Sequence, residues 1–164
     1  MAQSLSQTEL TLIAAAIEAI DAVPRSTKER RITDHTVSAA ALSSKGKIYT
    51  GINVSHFAAG SCAENIAFAN AAADGVASSM APGIISEESG EAPHLTTVVA
   101  VANDNRGVIN PCGRCRQLMA DYYPDIKVII KDDRGDLRVA GVKELLPFAY
   151  VSSLWKPDGP GKGV

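Results

Sequence analysis

The chain has 164 residues, a formal net charge of −2 and 46% apolar residues, which suits a single domain with one core. Aromatic residues make up only 5%, so the core is predicted to consist of alanine, valine, isoleucine and leucine. The slight acidity and the absence of a stripe of lysine and arginine argue against a groove for nucleic acid. No segment approaches the ~18 apolar residues of a membrane span. No signal peptide is recognisable either, so a cytoplasmic, reducing location with free thiols is expected.

The predicted elements begin with a helix and continue with a hairpin. Apolar residues recur at helical spacing over 7–22, with Ser6 or Thr8 as the cap. Alternating apolar residues predict strands over 36–43 and 48–54, joined by a turn at 45–47. The remaining predicted elements are a helix over 63–74 closed by Gly75, a strand over 95–102, a helix over 111–122, a strand over 126–130, a short strand over 136–140 and a helix over 142–146.

This order predicts an α/β sandwich with one mixed sheet, in which an antiparallel hairpin is followed by parallel later strands. Residues 1–164 are predicted to form one domain. Residues 76–94 contain serine, glycine, proline and glutamate without a helical or strand period, which indicates a long surface insertion. The glycine- and proline-rich tail over about 156–164 is expected to be frayed.

Each of the three cysteines, Cys62, Cys112 and Cys115, falls at the start of a predicted helix. A helix start offers unpaired N–H donors and the positive end of the helix dipole, which favour thiolate, the form that binds zinc. The spacing of Cys112 and Cys115 puts them on one side of a helix, and Cys62 arrives from another helix start. Together they are predicted to hold one zinc ion.

Three protein ligands are typical of catalytic zinc, which keeps a fourth position for water, whereas structural zinc is usually closed by four. Glu64, two residues after Cys62, is placed to take a proton from water whose acidity zinc increases. Two alternatives remain. His56 as a fourth ligand would make a non-catalytic zinc-binding module, and Cys112 with Cys115 would alone make a redox pair, which leaves Cys62 and Glu64 unexplained.

Two motifs, Ser61–Glu64 and Pro111–Gln117, together resemble the cytidine deaminase superfamily, in which a conserved glutamate that is not a ligand moves the protons. A closer resemblance is to the blasticidin-S deaminase branch, from about Val37 to Tyr150, interrupted by the insertion near 76–94. The segments that carry this resemblance are Ala39–Ser44, Gly51–Val54, His56-Phe57, Asn105–Gly107, Pro111–Gln117, Glu144–Pro147 and Tyr150-Val151. The resemblance implies a three-layer α/β/α fold, one Zn2+ per subunit and a homotetramer.

Two positions differ from the pattern of ordinary cytidine deaminases. Asn53 is kept, but Ser55 stands where those enzymes carry a glutamate that holds ribose. Asn65 stands where they carry an arginine that offsets the charge of the thiolates. Arg114, between the two later cysteines, is the expected substitute beside the thiolates; the alternative is a surface side chain.

The resemblance also implies that Thr36, Asn53, Arg106 and Tyr150 bind substrate. The charge of Arg106 suits the carboxylate on the sugar-like ring of blasticidin S. The family has a tryptophan two residues after the tyrosine, where this chain has a serine. Trp155 either takes that role or packs on the tail or a neighbouring subunit.

The implied reaction is the zinc-dependent hydrolytic deamination of a cytosine nucleoside, blasticidin S in the first place, with release of ammonia. Glu64 is the expected catalytic residue, and neither nucleic acid nor membrane is an expected partner. A cytidine or deoxycytidine deaminase is the nearest rival. The acidic charge argues against a nucleic-acid-editing deaminase.

Overall fold

The computed structural model describes residues 4–24, 35–78 and 92–151. Within these ranges the elements are α1 (Gln7–Asp21), β1 (Val37–Ser43), β2 (Ile48–Ile52), α2 (Ala63–Ala73), β3 (Leu95–Ala102), β4 (Gly107–Ile109), α3 (Gly113–Tyr122), β5 (Lys127–Lys131), β6 (Leu137–Gly141) and α4 (Val142–Leu145). The predicted order of helices and strands is confirmed. The short strand β4 was not predicted.

One mixed sheet forms the centre of the fold, with strand order β2-β1-β3-β5-β6 and β4 paired with β3. The predicted hairpin of β1 and β2 is confirmed as antiparallel. β3 and β5 are parallel. β6, however, runs antiparallel to β5, so the expectation of parallel later strands is wrong for this pair. The reason is the connection over 132–136, since a parallel pair needs a crossover of about a dozen residues or more.

Helices cover both faces of the sheet, which gives the three-layer α/β/α sandwich that the resemblance implies. Alternate residues of β1 point to the two faces, since Ala40 belongs to the core under α1 and Ala39 to the core under α2 and α3. α1 contributes Leu12, Ala16 and Ile20, all buried. The cysteines and Glu64 therefore lie on the face opposite α1.

Both helices that carry the site begin directly after a cysteine. Cys62 is the N-cap of α2 and Cys112 the N-cap of α3, each with extended backbone, at φ −67° and ψ 152° and at φ −67° and ψ 166°. α3 therefore starts at Gly113 rather than at Pro111. At the other end of α2, Gly75 has a φ of +83°, a left-handed conformation that ends the helix as predicted.

The predicted insertion over 76–94 is described only at its two ends. Val76 is buried, and Ala77 donates its N–H to the carbonyl of Pro93 at 2.8 Å. Residues 79–91, the tail from 152 onwards and Trp155 lie outside the described residues. In the part of the chain that the structure describes, none of the helices has the length and apolar character needed to cross a membrane.

Candidate active site

Gly51 in β2 lets the first turns of α2 lie directly on the sheet. A Cβ at this position would stand 2.3 Å from the backbone nitrogen of Ala67 and 2.5 Å from the carbonyl oxygen of Ala63, far inside van der Waals contact. The small side chains of the alanine-rich α2 also allow this close approach, but the role of Gly51 was not identified from the sequence. The contact sets the depth at which α2 presents Cys62 and Glu64.

The start of α3 is fixed by two side chains that the sequence did not reveal. Asn110 accepts the N–H of Lys131 and donates to its carbonyl, both at 2.8 Å, so its amide pairs with the end of β5 as a strand backbone would. Arg116 donates to the carbonyl of Pro111 at 2.8 Å and to that of Leu145 at 3.2 Å. These bonds hold the segment before Cys112 on both sides.

The two helix starts bring the three cysteine sulfurs together. All three Sγ atoms lie within 4.8 Å of one another, and those of Cys62 and Cys112 are 3.6 Å apart. Tetrahedral zinc with bonds of about 2.3 Å keeps two sulfurs about 3.8 Å apart, so three convergent thiols of this spacing fit the ion. His56 is not part of this cluster of possible ligands among the described residues.

The three thiols differ in their acidity. Burial raises the pKa of Cys62 and Cys115. Burial also acts to raise the pKa of Cys112, but hydrogen bonds from the backbone and thiol of Cys115 and from the thiol of Cys62 lower it overall. In the metal-free protein, burial therefore favours the protonated thiol at Cys62 and Cys115, whereas the hydrogen bonds at Cys112 favour the thiolate. A metal ion has to displace those protons when it binds.

Glu64 lies in the first turn of α2 with an exposed fraction of 5%. It lines a cleft of about 330 Å³ together with Cys62 and Cys112. The other walls come from the first residue of β1, the last residue of β4 and the residue after it, Ala63, and residues 53–56 and 60–61. A larger cavity of about 550 Å³, bordered by Glu9, Lys127 and other residues, contains none of the cysteines. The smaller cleft is therefore the candidate active site, because Glu64 and two of the three cysteines line it.

Asn65 and Arg114 are the two residues that the sequence analysis related to the negative charge of the thiolates. The thiol of Cys115 donates to the amide oxygen of Asn65 at 3.9 Å, so Asn65 is in direct contact with the cysteine cluster. Arg114 is exposed and donates to the carbonyl of Gly60 at 3.1 Å. Its guanidinium therefore holds the loop that leads into Cys62.

Of the predicted substrate-binding residues, Thr36 and Asn53 lie together. The side-chain oxygen of Asn53 accepts the N–H of Thr36 at 2.7 Å and that of Val37 at 2.9 Å. The amide nitrogen of Asn53 donates to the hydroxyl of Thr36 at 3.4 Å. Asn53 and Val37 line the cleft, and Thr36 is held beside them.

Arg106 and Tyr150 do not line the cleft of their own chain. Arg106 lies in the turn between β3 and β4, where its guanidinium donates to the backbone and side-chain oxygens of Asn103. Tyr150 is 72% exposed, and its backbone N–H and carbonyl are both held by the amide of Gln117. The described chain therefore does not bring Arg106 and Tyr150 into the lining of the cleft that contains Glu64.

No family model matches the chain. A cytidine deaminase of Sporosarcina psychrophila is 34% identical over 117 residues, which cover 70% of this chain and 74% of that protein. A blasticidin-S deaminase of Bacillus cereus is 28% identical over 157 residues, covering 90% of this chain and 96% of that protein.

Among solved structures, the fold resembles the crystal structure of a cytidine deaminase from Burkholderia pseudomallei. The TM-score is 0.63 at 28% identity, and the match covers 89% of this chain and all of that chain (100%). The match in fold agrees with the cysteine cluster and the buried glutamate described above. The chain belongs to the cytidine deaminase family.

Proposed function

We propose that this protein is a zinc-dependent hydrolase that deaminates a cytosine nucleoside. The observation that carries the proposal is the buried carboxylate of Glu64 in the same cleft as the convergent sulfurs of Cys62 and Cys112, with Cys115 behind them. Three thiols with an adjoining cleft suit a catalytic metal rather than a closed structural one. A carboxylate at that place can accept a proton from water and deliver it to a substrate.

Zinc held by Cys62, Cys112 and Cys115 would supply a Lewis acid that lowers the pKa of a water molecule towards neutrality. Glu64 accepts a proton from the attacking water and passes it to the ring nitrogen beside the amine-bearing carbon. Glu64 then carries the second proton of the water to the amine, which leaves as ammonia. The oxygen of the water stays on the ring, so cytosine becomes uracil without any redox change.

Blasticidin S is the proposed substrate within this class. Similarity to the blasticidin-S deaminase of Bacillus cereus extends over 90% of the chain, and Ser55 replaces the glutamate expected to hold ribose. The cytidine deaminase of Sporosarcina psychrophila has the higher identity, over a shorter stretch. Cytidine or deoxycytidine is therefore the second candidate substrate.

Rates of ammonia release from blasticidin S, cytidine and deoxycytidine by the zinc-loaded protein test both the proposed deaminase activity and the proposed substrate. We expect kcat/KM to be about tenfold or more higher for blasticidin S, because a missing charged hydrogen bond to ribose costs about 1.5–3 kcal/mol. The opposite ratio would establish the second candidate. Zinc-loaded protein that releases no ammonia from any of the three would contradict the function itself.

We also propose that the protein works as a homotetramer in the reducing cytoplasm. Its three free thiols support that location. Phe57, Phe148 and Val151 are 98%, 95% and 74% exposed, and such apolar surface is typical of an interface between subunits. Light scattering coupled to size-exclusion chromatography should give about four times the chain mass of 17.2 kDa. A monomer mass at micromolar concentration would refute the assembly.

The predicted roles of the remaining residues follow from this assembly. Asn53 and Thr36 would contact substrate in the cleft of their own chain. Arg106 and Tyr150 do not line that cleft, and we propose that they contact substrate from a neighbouring chain of the tetramer. Arg114 stays the predicted neighbour of the thiolate charge.

A further inference from the structure

The rim loop, residues 54–61, forms one edge of the cleft and is closed at its base. The backbones of Val54 and Ser61 exchange two hydrogen bonds, of 3.0 and 2.9 Å. Gly60 permits this closure, since a Cβ there would stand 2.9 Å from the carbonyl oxygen of Val54. Arg114 of α3 holds the carbonyl of Gly60, and Cys62 follows at once. The rim loop is therefore fixed relative to the cysteine cluster.

His56 is oriented within the rim loop by two contacts. Its Nδ1 atom lies 3.2 Å from the backbone N–H of Ala58, which donates to it. A neutral imidazole that accepts at Nδ1 carries its proton on Nε2. The ring also packs against Phe57 with a centroid distance of 4.4 Å. His56 is thus set to act as a hydrogen-bond donor through Nε2–H.

The cleft has a buried end and an open end, and His56 lies at the open end. Glu64 is 5% exposed, whereas His56 and its neighbour Ser55 are exposed, and all three line the cleft. The reacting carbon has to reach Glu64, so the cytosine ring occupies the buried end. The sugar-like ring of the nucleoside then faces the rim loop.

We propose that His56 binds the substrate by donating a hydrogen bond from Nε2–H to an acceptor oxygen on the sugar-like ring. This inference rests on the proposed function. The acceptor is a hydroxyl in cytidine and a carboxylate in blasticidin S, and a single N–H donor suits both. Ser55 adds a hydroxyl without a negative charge beside His56, so this part of the rim does not repel an anionic sugar.

The test compares His56→Ala and His56→Gln with the unmodified, zinc-loaded protein on cytidine, blasticidin S and 2′,3′,5′-trideoxycytidine, which lacks sugar hydroxyls. Loss of one hydrogen bond should lower kcat/KM of His56→Ala about 3–10-fold. The change should come from a higher KM, and only on the substrate whose oxygen His56 binds. Trideoxycytidine should be unaffected. Glutamine, whose amide can donate, should restore much of the loss. The Kd of His56→Ala for the deaminated product of that substrate, measured by calorimetry, should rise by the same factor.

A loss on cytidine alone identifies a hydroxyl as the acceptor, and a loss on blasticidin S alone identifies the carboxylate. A loss on both supports the proposal for both. An equal loss on trideoxycytidine, or no loss on any substrate by an active protein, overturns the inference and leaves the proposed function intact. An unmodified protein without deaminase activity sinks both.

His94→Gln is the matched control for the histidine replacements. His94 is exposed and its backbone pairs with Ser44, at the opposite end of β1 from the cleft residue Val37. Its replacement should leave the rates on all three substrates unchanged. A loss of the same size in His94→Gln would show that the effect of His56 is not local to the cleft, which counts against the proposal.

Discussion

Glu64→Gln is expected to lose most of the turnover, about 10²–10⁴-fold in kcat, while the metal site stays intact. Glutamine has nearly the size of glutamate but cannot accept a proton, so transfer from water to the ring nitrogen stops. Glu64 is not one of the three cysteine ligands, so zinc binding should be unchanged. Ammonia release gives the turnover, and atomic absorption of the purified protein gives the zinc content.

Cys115→Ser is the contrasting variant for this experiment. The side chain of Cys115 is fully buried among the sulfurs of the cluster, so its replacement should remove zinc and turnover together. The two variants thus separate proton transfer from metal binding. Turnover of Glu64→Gln close to that of the unmodified protein, at equal zinc content, would contradict the role of Glu64.

Much of the fold follows from local patterns in the sequence. The strand β3 was predicted with its observed limits, Leu95–Ala102, because a continuous apolar run bounded by polar residues has few other solutions. β4 has only three residues, too few to show any period. The direction of β6 could have been inferred from the short turn over 132–136, since a tight turn joins antiparallel strands.

Some residues of the candidate site could be predicted from the sequence and others could not. The clustering of Cys62, Cys112 and Cys115 could be predicted because few residue types suit zinc and the helix starts restrict where the three cysteines lie. Asn110, by contrast, holds the start of α3 by pairing its amide with the backbone of Lys131. A contact between positions so far apart leaves no trace in a single sequence. The burial that raises the pKa of Cys62 and Cys115 also depends on packing that the local pattern does not contain.

Gly51→Ala is expected to damage both stability and the metal site. The added Cβ would meet backbone atoms of Ala67 and Ala63 at 2.3 and 2.5 Å, and backbone cannot rotate away as a side chain can. Overpacking of this kind costs about 1–3 kcal/mol or more, which lowers the Tm of a domain of this size by roughly 2–12 °C. Relief of the clash moves α2 off the sheet, and α2 carries Glu64 and begins directly after Cys62.

Gly141→Ala provides the matched control, because the same methyl group is added without a clash. Its added Cβ meets no atom within 4 Å, and its φ of −82° and ψ of 155° suit alanine. Calorimetry and zinc analysis of both variants should therefore give a lower Tm and a lower zinc content for Gly51→Ala alone. Equal values for both variants would mean that α2 can shift away from β2 at no cost. In that case the close approach at Gly51 would not be what fixes Cys62 and Glu64 against the other two cysteines.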